Sequence, residues 1–242
     1  MAKSKGTITR QPPLATASTT PATQAPAVSA NAEIASVHAL AALALLLLPF
    51  GTVVLTDLLP ANPRQILHWT LPAVTVIQAF TILATQAKHG LAAKSTGKKS
   101  KSSGPKNLST IILGLVLTAL LTPLLHIIYV LFGAPVTSAV PETFLLSAHT
   151  AILSLFPLLC TFSLDSDTWA NVVSLNVPVT PLYASVVGTI LGAWLGAIPI
   201  PLDWDREWQK WPVTIIIGAY VGNSVGRLVG IIFTSQSTKK TL

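Results

Sequence analysis

Six stretches of this sequence are apolar over roughly the length a helix needs to cross hydrocarbon, about 20 residues at 1.5 Å each, and that constrains the chain more than anything else. They cover residues 38–59, 66–86, 108–132, 143–163, 181–200 and 212–233. Only 10% of the 242 residues are charged, against about a quarter in a soluble domain. Lipid offers no partner for a stray backbone N–H or C=O, so segments like these are expected to be helices packed into a bundle. The expected fold is therefore all-α, a polytopic bundle of six transmembrane helices spanning 37–233. The fourth segment is the least regular, because His149 and Pro157 interrupt it.

An even number of crossings puts both termini on one side. Positive residues assign that side: Lys3, Lys5 and Arg10 precede the first segment, Lys88, Lys94, Lys98, Lys99, Lys101 and Lys106 fill the loop 87–107, and Lys239 and Lys240 close the chain. The other side holds only Arg64, Arg206 and Lys210. Positive residues stay in the cytosol, so both termini and the lysine loop are expected there. No aromatic or base-reading residues interleave with those lysines. Attraction to anionic lipid accounts for them, and nucleic acid is not expected as a partner. Asn107 opens an Asn-Leu-Ser glycosylation pattern that would be silent in the cytosol.

Residues 1–36 are Ser, Thr, Ala and Pro with few large apolar groups, a composition that reads as a disordered cytosolic tail. The first apolar segment starts too far from Met1 and is too long for a cleaved signal peptide. The tail 234–242 ends in "KKTL", whose lysine pair has the form of a retrieval address for the endoplasmic reticulum. Cys160 is the one cysteine, which excludes an intrachain disulfide.

The last two segments carry a glycine pattern. Gly188, Gly192 and Gly196 follow Ala184 in steps of four, and Gly218, Gly222, Gly226 and Gly230 do the same in the last segment. Each series makes a groove where another backbone can approach closely. The expected occupant is the neighbouring helix of the hairpin, with a helix of a partner protein as the alternative. Asn223 and Arg227 border the second groove. An arginine in a span costs about 2.5 to 3.5 kcal/mol on insertion scales, and Arg227 lies near enough to the cytosolic end to snorkel to the headgroups. Snorkelling or structural hydrogen bonding within the bundle is expected, with a contact to a lipid phosphate as the other reading.

Between those segments the connecting tip holds Asp203, Trp204, Asp205, Arg206, Trp208 and Trp211. Tryptophan favours the headgroup zone, and Pro199, Pro201 and Pro212 end the flanking helices, so a short, stiff tip at the non-cytosolic surface is expected. Its carboxylates are spaced as in some metal sites, but Arg206 and Lys210 neutralise them and no metal is expected. His126 and His149 stand at similar depth below that surface and could meet; ordinary interhelical hydrogen bonds are the expected role, with a functional polar pair as the alternative. No nucleophile motif, phosphate loop or dinucleotide fingerprint occurs, so no cofactor and no catalytic residue is assigned.

The run "GAWLGAIPIPLDWDREWQKWP" and the helix with "GAYVGNSVG" resemble the PIG-F family over about residues 178–230. That resemblance implies a subunit of glycosylphosphatidylinositol (GPI) anchor synthesis in the endoplasmic reticulum membrane. Its implied partners are large ethanolamine-phosphate transferases, which carry the metal-dependent catalytic domain and draw on phosphatidylethanolamine, together with membrane lipids such as the GPI precursor or phosphatidylethanolamine. On this reading the chain stabilises its partners and is not an enzyme. The alternatives are a transporter with His126, His149, Asn223 and Arg227 along its path, and a small intramembrane enzyme using Asp203, Asp205 and the histidines.

Overall fold

The computed structural model describes residues 25–54, 61–95, 108–162, 166–202 and 205–240, with side chains over 32–48, 61–88, 108–162, 166–202 and 205–236. Among these residues there are seven α-helices, one 3₁₀ turn and no strand: α1 Ala25–Val54, α2 Pro63–Ser95, α3 Leu108–Leu131, α4 Val140–Thr161, α5 Ser166–Val173, α6 Pro181–Ala197, the turn Glu207–Gln209, and α7 Val213–Lys240. Four helical stretches are long and apolar enough to cross a membrane: Pro63–Lys88, Leu108–Leu131, Val140–Thr161 and Val213–Gln236. Ala32–Leu48 and Pro181–Ala197 are shorter apolar helices, at the lower limit of about 17 residues for a span.

Two differences from the sequence expectation stand out. The helix α1 starts at Ala25, so residues 25–36 belong to its first turns and not to a tail; Ala25, Ala27, Ala30, Ala32 and Ala35 favour helix enough to extend it. Residues 1–24, the loop 96–107 with Asn107, and the terminal Thr241 and Leu242 lie outside the described residues. The second difference is α5, a short helix between the fourth and fifth apolar segments. Trp169 and Val172, three apart on it, pack against Leu158, Tyr183 and Val186, and the Tyr183 hydroxyl donates to the Val172 carbonyl at 2.6 Å.

The segment that looked least regular is the centre of the bundle. Helix α4 is continuous and packs on α2, α3, α6 and α7, with Leu146, Leu153 and Phe156 in a core shared with Leu45, Leu67, Val74, Ile216 and Tyr220. Helix α3 packs chiefly on α4: Gly114 is so close that an added Cβ would lie 2.5 Å from Cys160 Sγ. The rest of α3 presents Ile112, Leu113, Val116, Leu120 and Leu124 outward, as expected of a helix facing lipid. Ion pairs join both ends of the bundle, Lys88 with Glu33 near one and Arg64 with Glu142 at 2.9 Å near the other.

Candidate functional site

The closest packing lies between α6 and α7. Thr180 caps α6 by accepting the Tyr183 N–H at 3.2 Å, and Pro181 follows with no N–H left to satisfy. From there the two glycine stripes face each other in register. A Cβ at Gly188 would lie 2.1 Å from the Gly222 carbonyl oxygen, at Gly192 2.1 Å from that of Gly218, and at Gly196 2.4 Å from that of Thr214. In the other direction, Gly218 meets Gly192, Gly226 meets Ala184 at 2.2 Å, and Gly230 meets the Pro181 backbone at 2.5 Å. Each step of four along α6 is matched by a step of four back along α7. The two backbones are in contact along the whole hairpin, which is what small residues permit between helices in lipid.

Behind this seam lies a buried polar network. Arg227 is 0% exposed: it does not snorkel to the headgroups but takes the other course expected of it, structural hydrogen bonding, with the side chain turned into the bundle among neutral acceptors. Its Nε donates to Asn223 Oδ1 at 2.9 Å, Nη1 to His38 Nδ1 at 3.1 Å, and Nη2 to Gln78 Oε1. Because His38 accepts at Nδ1, its proton sits on Nε2, which stands 3.4 Å from Thr85 Oγ1. No carboxylate pairs with the guanidinium among the described residues.

Asn223 ties the network to α4 and α6. Its Nδ2 donates to Thr189 Oγ1 at 2.8 Å and reaches the carbonyls of Leu153 at 3.2 Å and Ser185 at 3.3 Å. The Leu153 carbonyl needs such a donor, because its helical partner four residues on is Pro157, which has no N–H. Asparagine thus repairs the break that proline makes in α4. Nearby, the Ser224 hydroxyl donates to the Ala42 carbonyl at 2.9 Å, fastening α7 to α1.

The histidine pair does not form. The buried His149 donates from Nε2 to the Leu67 carbonyl at 2.9 Å, so its Nδ1 accepts the Tyr220 hydroxyl at 2.7 Å. His126 sits on α3 beside Phe144, with ring centres 6.0 Å apart and no partner for Nδ1 among the described residues. Equal depth along two helices says nothing of rotation about them, and these two rings have different neighbours.

At the tip, Gln209 is the residue that sequence reasoning missed. Its Nε2 donates to the carbonyls of Pro199 at 2.9 Å and Leu202 at 2.5 Å, while its Oε1 accepts the Arg206 N–H at 3.0 Å. Glu207 pairs with Lys210, and the Trp211–Pro212 peptide is cis. Trp211 Nε1 donates to Thr143 Oγ1 at 2.9 Å, locking the tip to the start of α4. Asp205 adopts a left-handed φ of 45°, Arg206 and Trp208 are exposed, and Asp203 and Trp204 lie outside the described residues. No group of three or more potential metal ligands occurs among the described residues. His38, Gln78, Thr85 and Thr143 were also missed. A polar residue inside an apolar run marks each of them, but which ones converge depends on helix rotation.

Taken together, apolar helices, a close-packed glycine hairpin and polar groups bonded to one another define an integral membrane protein built as a packed scaffold. The chain belongs to the GPI biosynthesis protein family Pig-F, whose model matches residues 37–231. It is 44% identical over 182 residues to a Neurospora crassa protein called glycosylphosphatidylinositol anchor biosynthesis protein 11, covering 72% of this chain and 67% of that one. A Yarrowia lipolytica protein of the same name is 44% identical over 140 residues, or 56% of this chain and 63% of its own length. A Homo sapiens protein called GPI ethanolamine phosphate transferase, stabilizing subunit, is 34% identical over 119 residues, or 48% of this chain and 54% of its own. No solved structure matches the chain.

Proposed function

We propose that this chain is a non-catalytic subunit of GPI-anchor synthesis that binds and stabilises ethanolamine phosphate transferases in the endoplasmic reticulum membrane. The observation that carries the reading is the family match over 37–231, within which a relative bears the name of the transferase's stabilizing subunit. The chemistry of the bundle supports it. Arg227, Asn223 and His149 are bonded to fixed neighbours on other helices, as side chains that hold a bundle together are. The same bonding counts against a transport path through these groups.

In this reading the chain crosses the membrane six times, with both termini and the lysine loop in the cytosol and the tip in the lumen. The hairpin α6–α7 is the rigid element offered to the transferase. Its tip, including Asp203, Trp204, Asp205, Arg206, Trp208 and Trp211, lies at the lumenal headgroups, where the partner's catalytic domain works on the GPI precursor. Tagged chain should co-purify a large transferase, and depletion should accumulate anchor precursors lacking ethanolamine phosphate. A normal precursor profile after depletion would falsify the role.

A further inference from the structure

The short helix α5 has two unlike sides. Asp167 and Asn171 are four apart, and Ser174, three further on, still bonds the Ala170 carbonyl in helical fashion, so these polar residues form one exposed stripe. Trp169, Val172 and Val173 fall on the opposite side. Only part of that apolar side meets the bundle. Val172 is buried against Leu158, Tyr183 and Val186 with Trp169 beside it, whereas Val173 is 77% exposed and Leu175, just past the helix, is 66% exposed. Leu175 also holds a left-handed φ of 58°, a conformation that glycine adopts without the clash a Cβ brings. A large apolar side chain, exposed at a position that favours glycine, calls for a contact outside the bundle.

The depth of α5 says what that contact is. Val186 is the sixth residue of α6, about 7.5 Å along the helix from Pro181. Leu158 stands three residues before the end of α4, about 4.5 Å inside it, and Val172 packs in one cluster with both. On the other helix of the hairpin, Gly230 meets Pro181, and α7 continues beyond that level with Ile232 and Phe233, both exposed. Exposed isoleucine and phenylalanine on a spanning helix face hydrocarbon, which therefore reaches about 4.5 Å past Pro181. Helix α5 docks inside that limit. Interfacial amphipathic helices bury their apolar face about 5–10 Å into the boundary between headgroups and acyl chains, which matches these depths, and tryptophan such as Trp169 favours the same zone.

We propose that α5 and residues 173–179 form an interfacial anchor, with Val173 and Leu175 among the acyl chains of one leaflet and the stripe of Asp167, Asn171 and Ser174 turned to the water. Because the Tyr183 hydroxyl donates to the Val172 carbonyl, the anchor holds the first turn of α6, and lipid thereby fixes the start of the glycine hairpin. The leaflet is the cytosolic one in the orientation proposed above; the depth does not depend on that orientation or on the transferase.

The test places single cysteines at Val173→Cys, Leu175→Cys and Asp167→Cys in the full chain with Cys160→Ala. Each is labelled with a polarity-sensitive fluorophore and reconstituted in phosphatidylcholine vesicles. One set of vesicles carries lipid with a nitroxide near the top of the acyl chain, and another has iodide on both faces. At Val173 and Leu175 the emission should shift to the blue and most of it should be lost to the nitroxide lipid, with little lost to iodide; Asp167 should show the reverse. Iodide quenching at Val173 and Leu175 as strong as at Asp167 overturns the proposal, because the segment then stands in water. Quenching by neither agent also overturns it, because a protein surface then covers the patch. Thermal unfolding verifies each variant, and both apolar sites are exposed, so either one decides the question if the other fails to fold. Recovery of a transferase is scored apart from these signals, so failure of the anchor and failure of the partner assignment are distinct results.

Discussion

Pro157 removes a hydrogen-bond donor from the most central helix, and Asn223 on a different helix supplies one to the orphaned Leu153 carbonyl. This pairing makes a specific prediction. Asn223→Ala should destabilise the purified protein by about 2 kcal/mol, the cost of leaving buried polar groups unpaired. In a Pro157→Ala background the helix can satisfy Leu153 itself, so the same substitution should cost about 1 kcal/mol less, measured as a coupling energy by thermal unfolding of the double-mutant cycle. Additive effects would mean that the repair contributes nothing. Arg227→Leu belongs to the same network and strands acceptors on Gln78, Asn223 and His38. It should cost about 3 kcal/mol, the cost of leaving buried acceptors without a donor, and Arg227→Lys should rescue little, because an ammonium cannot reach three acceptors in one plane. The sequence marked Asn223 and Arg227 as polar groups beside a groove. It could not reveal that His38 and Gln78 meet them, since such convergence depends on how three helices are rotated about their axes.

At the level of the elements, the seam between α6 and α7 is the feature most sensitive to a single carbon atom. Alanine favours a helix over glycine by about 1 kcal/mol, so a glycine without a packing role should gain stability when replaced. At Gly222 the added Cβ would lie 2.0 Å from the Gly188 carbonyl oxygen, and neither backbone can yield without parting the helices. Gly222→Ala should therefore lower stability by about 2 kcal/mol and reduce the amount of transferase recovered with the tagged chain. Gly114→Ala meets the Cys160 thiol instead, a side chain able to turn aside, and should cost less in the same unfolding assay. The steps of four were legible in the sequence, because spacing alone places residues on one helical face. Register was not: several antiparallel alignments bring glycine near glycine, and the capped start of α6 and the Gln209 staple at the tip select one of them. The short α5 also escaped the reading, since eight residues with one tryptophan carry too little periodicity to register.

For the whole molecule, the pattern of positive charge and the even number of apolar segments predict an orientation that two surface serines can report. Ser138 lies in the connection between α3 and α4, and Ser174 follows α5 at the opposite end of the bundle; both are exposed. With the buried Cys160 replaced by alanine, single cysteines at these positions can be probed in sealed microsomes with a membrane-impermeant maleimide. Ser174→Cys should label at once. Ser138→Cys should label only after the membrane is permeabilised, because it shares the tip side with Arg64, Glu142 and Trp211. The reverse pattern would turn the bundle over and place the hairpin tip on the cytosolic side, away from the lumenal work proposed for its partner. Labelling of both sites without permeabilisation would be incompatible with a bundle of six crossings. The orientation thus decides on which side of the membrane the hairpin tip lies, fixed as it is to the start of α4 through the bond from Trp211 to Thr143.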